Sequence, residues 1–387
     1  VRVAQIIDAL RPAGGAERLQ RSFAEAVQGR SVDLSILTLG RNDPCTVEAI
    51  RDMGVTVKAF PARSFVSPRR ARNLFRYVRE EGFDILHTHL VRSTLLGGLA
   101  GRISGVPVVS TIHNTRHNRK LSGVLRWAEG FMLRHGVQRV IAVGWQTADV
   151  HAERLSPRHI DVIPNAVPLF DPTLGVERSA LRDSLGVADG ETVLISVGRL
   201  HAQKGYGDLI DAFRRLNRTR KDLRLWIAGS GGLRTELRRA VADPELEGRV
   251  QLLGLRDDVP SLLTASDLYV SAARWEGMPV SILEAMSAGL PIVATSVGDV
   301  PRIIDERNGT LVPPGDPVAL AEAIERALAD PARLLAWAEE GARRAREEFG
   351  LGTWADRILG LYEQVIRESG GWRSSLQAHP PRGAECG

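Results

Sequence analysis

Only two cysteines occur in the 387 residues, Cys45 and Cys386. Two thiols so far apart build neither a disulfide framework nor a four-ligand zinc site, and their scarcity fits a reducing compartment. Long apolar runs are missing too: none approaches the roughly 20 residues that a bilayer-spanning helix needs. The opening "VRVAQIIDAL" is broken by Arg2, Gln5 and Asp8, so it reads as a first strand and not as a secretory segment. The expectation is a cytoplasmic protein, at most held peripherally on the inner face of the plasma membrane. Nucleotide-binding signatures are absent or incomplete. No Gly-Lys-Ser/Thr run closes a P-loop, and "LWIAGSGGLRTEL" begins like a dinucleotide fingerprint but carries Arg234 where the third glycine would stand. The first absence excludes a Walker A loop, and the incomplete fingerprint argues against nicotinamide or flavin chemistry.

What is present is an ordinary globular composition, 43% apolar and 25% charged, in a chain long enough for two cores. The net charge of +5 comes largely from arginine, and as a global number it says little about partners. Short β-branched runs alternate with helical patterns from end to end, which predicts an α/β fold of parallel sheets covered by helices. Strands are expected near 2–7, 33–38, 55–59, 84–88, 107–112, 139–143 and 160–163. After a proline-rich connection they resume near 192–198, 223–228, 250–253, 267–271 and 291–294, with helices near 204–217, 233–242 and 280–287. This gives two doubly wound, Rossmann-like domains, expected to face each other across a cleft: residues 1–168, joined by a C-terminal helix at about 352–368, and residues 191–351. Residues 169–190 form the linker and 370–387 a flexible tail. Open sheets of this kind bind ligands at the carboxyl ends of their strands.

Five stretches place chemistry at such ends. "RPAGGAERL" follows the first strand, where Gly14 and Gly15 bring backbone amides to the start of a helix that favours an anion, or simply make the turn. "VSTIHNTRHN" puts His113 just beyond a strand, to contact a substrate or to cap. His87 and His89 of "HTHL" point the same way, but without a third ligand they suggest structure or loop contact more than metal. In "ISVGRLHAQKGYGDLI", Arg199 offers a planar fork and Lys204 a compact charge for a diphosphate. In "RWEGMPVSILEAMSAGLPIVAT", Pro279 suits the first helical position, which leaves the amides of Val280 and Ser281 free for phosphate oxygens. Glu276 and Glu284 flank that start, and carboxylates there can accept hydrogen bonds from polyols. The bland reading is two solvated helix charges, which the apolar setting of Glu284 opposes.

These residues, with "LLGLRDDV" and "NGTLVPPGD" in the same order, resemble the retaining GT-B glycosyltransferases of family four over about residues 1–368. The resemblance is tightest in the second domain. It implies that Glu276, separated by seven residues from Glu284, contacts the donor sugar while Glu284 holds the nucleotide ribose. It implies that Arg199 and Lys204 neutralise the diphosphate, that Gly15 meets the phosphate and that His113 lines the sugar site. Leu255 and Arg256 would stand beside the base, and Gly277, Met278, Pro279 and Val280 would present backbone amides. The expected catalytic set is His113, Arg199, Lys204 and Glu276. Asp299 departs from the pattern, since a second glycine is common there, and Pro168 stands where an acid is frequent.

By this resemblance the donor is a nucleotide-diphosphate sugar and the acceptor a glycan, a lipid-linked sugar or a small molecule. The carboxylates are not a glycosidase pair, and neither a metal nor another cofactor is implied; no Asp-x-Asp triplet of metal-dependent transferases is present. "ARSFVSPRRARNLFRYVR" carries Arg63, Arg69, Arg70, Arg72, Arg76 and Arg79 without an acid, with Phe65, Phe75 and Tyr77 interleaved, and "TRHNRKLSGVLRW" is a second basic stretch. The stretch Arg63–Arg79 suits an anionic membrane surface, or a solvated helix face. The competing functions are a sugar-nucleotide epimerase or a phosphorylase of like architecture, a non-catalytic sugar-nucleotide-binding protein, and a nucleic-acid module. No recognised nucleic-acid motif accompanies the arginines, so nucleic acid is not expected as a partner.

Overall fold

The computed structural model describes residues 1–11, 15–62, 67–113, 123–170 and 178–370. Gly14, Arg63, Phe65, most of the second basic stretch and the tail beyond 370 lie outside them. The chain divides into two compact units. One holds residues 1–143, 147–163 and 355 onward; the other holds 144–146 and 164–354.

The first unit is built on seven parallel strands: β1 (Arg2–Ile7), β2 (Asp33–Thr38), β3 (Thr56–Ala59), β4 (Ile85–His89), β5 (Val108–Ile112), β6 (Arg139–Ala142) and β7 (Ile160–Val162). Their spatial order is β3-β2-β1-β4-β5-β6-β7. Every residue of β4 and β5 is buried, because helices cover both faces of a parallel sheet. The helix Val91–Ser104 rides close on these strands. A Cβ on Gly97 would meet Thr88 Cγ2 at 2.4 Å, and one on Gly101 would meet Val108 Cγ2 at 2.2 Å. No side chain at the helix's own cap serves its first amides. Instead Asp8, just past β1, accepts from the Ser93 backbone N–H at 3.1 Å and from its hydroxyl at 2.8 Å. That bond ties the carboxyl ends of β1 and β4 together.

The second unit has six parallel strands: β8 (Thr192–Val197), β9 (Leu223–Ala228), β10 (Val250–Gly254), β11 (Leu268–Ser271), β12 (Ile292–Thr295) and β13 (Gly309–Val312), in the order β10-β9-β8-β11-β12-β13. Its core centres on Trp226, Tyr206, Tyr269 and Phe213, all fully buried. The helix Arg178–Ser184 belongs to this unit, where Arg178 and Arg182 bond to carbonyls of the 264–266 turn and to Asp267.

Three local features differ from the sequence expectation. β13 was not anticipated: it is four residues long and begins with Gly309, whose Cβ would stand 2.6 Å from the Ile292 carbonyl oxygen. The helical stretch after 316 breaks first at Asp330, not only at Gly350, giving Pro317–Leu328, Pro331–Phe349 and Leu351–Glu368. Asp330 precedes proline, which keeps it out of the helical region (ψ 84°), and its carboxylate caps Arg333. Pro279 is the residue before the helix Val280–Ser287, one position earlier than expected.

Gly205 joins a 3-10 turn (Ala202–Lys204) to the helix Tyr206–Thr219 at φ +61°, and a Cβ there would lie 1.9 Å from the Ala272 carbonyl oxygen. Gly205→Ala is expected to destabilise the chain by more than about 2 kcal/mol, from left-handed strain and backbone collision together. Denaturant unfolding would measure it, and an unchanged midpoint contradicts the close approach.

Candidate active site

In both sheets the strand order reverses at one place, between β1 and β4 and between β8 and β11. Such switch points leave a crevice beyond the carboxyl ends of the strands. In the second unit the loops leaving β8 and β11 carry Arg199 to Lys204 and Arg274 to Val280.

These two loops are bonded to each other. The Arg274 backbone N–H donates to the Gln203 carbonyl at 2.8 Å, and the Arg274 guanidinium makes two 2.9 Å bonds to Asp208. Lys204 Nζ lies 2.5 Å from Glu276 Oε1, and Gln203 Nε2 donates to Glu276 Oε2 at 3.2 Å. The Glu276 side chain is 8% exposed and that of Lys204 19%, so the charges sit where removal of either partner strands the other. Behind Glu276, Gly298 at φ +57° brings its Cα to the Glu276 backbone: a Cβ would meet that carbonyl oxygen at 2.4 Å. Asp299, buried, accepts from the Gln146 N–H at 2.7 Å, while its own N–H donates to the Gly277 carbonyl at 3.2 Å. The acid at this unusual position thus holds segment 144–146 and the Glu276 loop in place.

The helix Val280–Ser287 starts beside this pair. Ile282 and Leu283 donate to the Pro279 carbonyl at its start, which leaves the amides of Val280 and Ser281 without helical acceptors. Ser281 hydrogen-bonds the hydroxyl of buried Tyr269, a phenol that burial pushes up and that also feels Glu284 and Glu276. Burial likewise raises the phenol of Tyr206, which feels Tyr269 and Glu276. Glu284 is half-buried.

Arg199 is exposed and forms no ion pair among the described residues. Leu255 is exposed. Arg256 is held in a bidentate bond to Asp258, at 2.7 and 2.5 Å. Gly277 is half-buried, Met278 and Pro279 buried, and Val280 exposed.

In the first unit Gly15 opens the helix Gly15–Ala26 after β1. His113 follows β5, and its Nε2 is 3.1 Å from Nδ1 of His89. The His89 ring stands 4.1 Å from that of His87, centroid to centroid. His87 in turn contacts the Tyr362 hydroxyl at 2.5 Å and the Thr111 hydroxyl at 2.7 Å. Burial lowers His87 to about 3 and His113 to about 4, and it holds His89 well below the ordinary imidazole value. No group of three or more metal-ligating side chains is found among the described residues. Sequence reasoning missed Gln203, Tyr206, Tyr269 and Tyr362, and it read Ser281 only for its backbone amide. The tyrosines gave no signal, since they read as core; Gln203, next to Lys204, could have been found.

The patch 63–79 changes character. Arg69, Arg72, Arg76 and Arg79 are exposed on one face of the helix Pro68–Glu81, but Arg70 is 2% exposed and donates to the Leu39 carbonyl. Tyr77 packs against Phe60 and Phe83, so this aromatic serves the core and not the surface.

The three imidazoles make stability depend on pH with a definite sign. The unfolded chain takes up protons below about pH 6.5, while the folded chain keeps these rings neutral much further down. Their contribution is whole above about pH 6.5 and is lost as the pH falls toward 4. Asp8, raised by burial, opposes this with one group. The expected slope is ~2 to ~4 kcal/mol per pH unit between about pH 6 and pH 5. Denaturant titrations across that range check it, and a flat profile contradicts it.

Comparison with known proteins bears on the whole chain. Residues 191–330 match the family described as glycosyl transferases group 1, and residues 13–169 match glycosyltransferase family 4. The UDP-Gal:alpha-D-GlcNAc-diphosphoundecaprenol alpha-1,3-galactosyltransferase of Escherichia coli is 30% identical over 328 residues, 79% of this chain and 84% of the relative. The alpha-D-kanosaminyltransferase of Streptomyces kanamyceticus is 28% identical, covering 90% of this chain and 99% of the relative. Among solved structures, Anabaena HepE in complex with UDP superposes with a TM-score of 0.82 at 22% identity, over 94% of this chain and 100% of that one. Lipopolysaccharide glycosyltransferase WaaG gives 0.69 at 19%, over 93% and 99%. With two Rossmann-type sheets, paired loops at the β8–β11 switch and these likenesses, the chain belongs to the GT-B glycosyltransferases of family four.

Proposed function

We propose that the chain transfers a sugar from a nucleotide-diphosphate donor to a glycan, lipid-linked or small-molecule acceptor, with retention of configuration and without a metal. The observation that carries this reading is the Lys204–Glu276 pair beside the free amides of the helix Val280–Ser287. Breaking a sugar–diphosphate bond builds negative charge on the departing phosphate. Lys204, the exposed Arg199 and the helix start supply fixed positive potential for it, which is the part a metal plays elsewhere. Glu276, already oriented by Gln203, suits hydrogen bonds from the donor's sugar hydroxyls, and Glu284 suits the ribose. Neither acid is needed as a nucleophile: the acceptor approaches from the leaving-group face and gives its proton to the departing phosphate. The Escherichia coli relative's name gives UDP-Gal as donor and a diphosphoundecaprenol-linked sugar as acceptor, and HepE has been solved with UDP-glucose. UDP-sugars are therefore the first donors to test. For a lipid-linked acceptor, the exposed row Arg69, Arg72, Arg76 and Arg79 would favour an anionic membrane surface. No helix among the described residues is long and apolar enough to cross a membrane.

With a competent sugar donor and acceptor, Glu276→Ala is expected to lower turnover by a factor on the order of a hundred or more, while nucleotide binding stays detectable. Activity of the unsubstituted chain is expected to survive EDTA. Turnover unchanged in the variant removes the role of Glu276, and activity abolished by EDTA and restored by manganese removes the metal-free mechanism.

A further inference from the structure

We propose that His89 is a positioning residue that fixes which nitrogen of His113 carries the proton, leaving His113 as a neutral donor from Nδ1. The argument starts from hydrogen-bond direction. Two facing imidazole nitrogens 3.1 Å apart must be one donor and one acceptor. The other nitrogen of His89, Nε2, is buried and has no hydrogen-bond partner among the described residues. If that nitrogen held the proton, a buried N–H would be orphaned, whereas an unshared lone pair is the less costly and commoner deficit. His89 therefore carries its proton on Nδ1 and donates it to Nε2 of His113. The remaining proton of a neutral His113 must then be on its own Nδ1.

The neighbouring ring is fixed by the same reasoning, in the opposite tautomer. Gln5 Nε2 donates to the Tyr362 hydroxyl at 3.4 Å, so that hydroxyl directs its own hydrogen to Nδ1 of His87 at 2.5 Å. His87 then holds its proton on Nε2 and donates it to Thr111 at 2.7 Å. His87 cannot serve as an alternative partner for His113, because both its nitrogens are engaged. The buried chain Gln5, Tyr362, His87, Thr111 thus fixes the His87 ring, against which His89 packs with an interplanar angle of 41°.

The consequence is chemical. His113 presents an N–H to a lone-pair oxygen, such as a hydroxyl or ring oxygen of a sugar, and offers no lone pair with which to act as a general base. That the oxygen belongs to a donor sugar rests on the transferase reading above; the proton position does not.

The test is long-range proton–nitrogen correlation NMR on the full chain labelled with nitrogen-15 histidine, with signals assigned from single His→Gln variants. His113 and His89 are expected with protonated Nδ1 and bare Nε2, and His87 with the reverse. In His89→Leu the His113 signature should move toward the Nε2-protonated form that prevails in water. In His89→Asn, whose amide stands where Nδ1 stood, it should be retained. A wild-type His113 protonated on Nε2, or a His113 signature indifferent to His89→Leu, overturns the proposal. In parallel, His89→Leu is expected to lower kcat/KM for a UDP-sugar by about tenfold, the worth of one hydrogen bond, and His89→Asn to recover most of it. Tautomers as stated with no change in kcat/KM uphold the positioning by His89 and remove the sugar contact instead.

Discussion

The ion pair between Lys204 and Glu276 joins the two loops that leave β8 and β11 in the second unit. Two opposite charges, both mostly out of water, are stable only while each has the other, and removing one partner of such a pair costs about 3–5 kcal/mol. The pair therefore needs the loops after β8 and β11 to be held in register. The bonds from Arg274 to Gln203 and Asp208, the collision-free approach allowed by Gly205, and the Gly298–Asp299 turn behind Glu276 all serve that end. The candidate site residues sit on loops, but on loops fastened to each other and to Asp208. On the proposed reading the same pair also sets up a competition: a diphosphate drawn to Lys204 would have to take the place of the carboxylate already paired with it.

The first unit solves a different problem. Near its switch point, between β1 and β4, Asp8 is joined by a cluster of neutral polar groups: three histidines kept uncharged by burial, a tyrosine and a threonine. Because Tyr362 comes from the helix Leu351–Glu368, the last described helix of the chain completes a network whose other members lie before residue 114. Low-dielectric surroundings make these bonds stronger and their orphaning more costly, so the network specifies one arrangement of rings.

Much of this was legible in the residues. The run of β-branched segments announced parallel sheets because both faces of each strand are covered, and twelve strands fell close to where that patterning put them. β13 escaped since a four-residue strand beginning with glycine has no periodicity to read. Lys204 and Glu276 were recognisable from their places at strand ends, and the structure brings them together, whereas Arg256 is committed to Asp258 and Arg70 to the core. Helical spacing alone cannot separate an exposed arginine from a buried one with a carbonyl to satisfy it. The supporting tyrosines were illegible for a related reason: Tyr206 and Tyr269 look like any core aromatic until the fold brings the first within reach of Glu276 and the second within reach of Glu276 and Glu284.

The central claim is that Lys204 receives a diphosphate and that Glu276 competes with it for that lysine. Calorimetric titration of UDP and of uridine into the unsubstituted chain, Lys204→Ala and Glu276→Gln tests it directly. The account predicts that Lys204→Ala weakens UDP by about tenfold or more, as loss of a charge-assisted bond does, and leaves uridine nearly unaffected. It predicts that Glu276→Gln binds UDP more tightly than the unsubstituted chain. Equal losses for nucleotide and nucleoside in Lys204→Ala, or weaker UDP binding in Glu276→Gln, would contradict it.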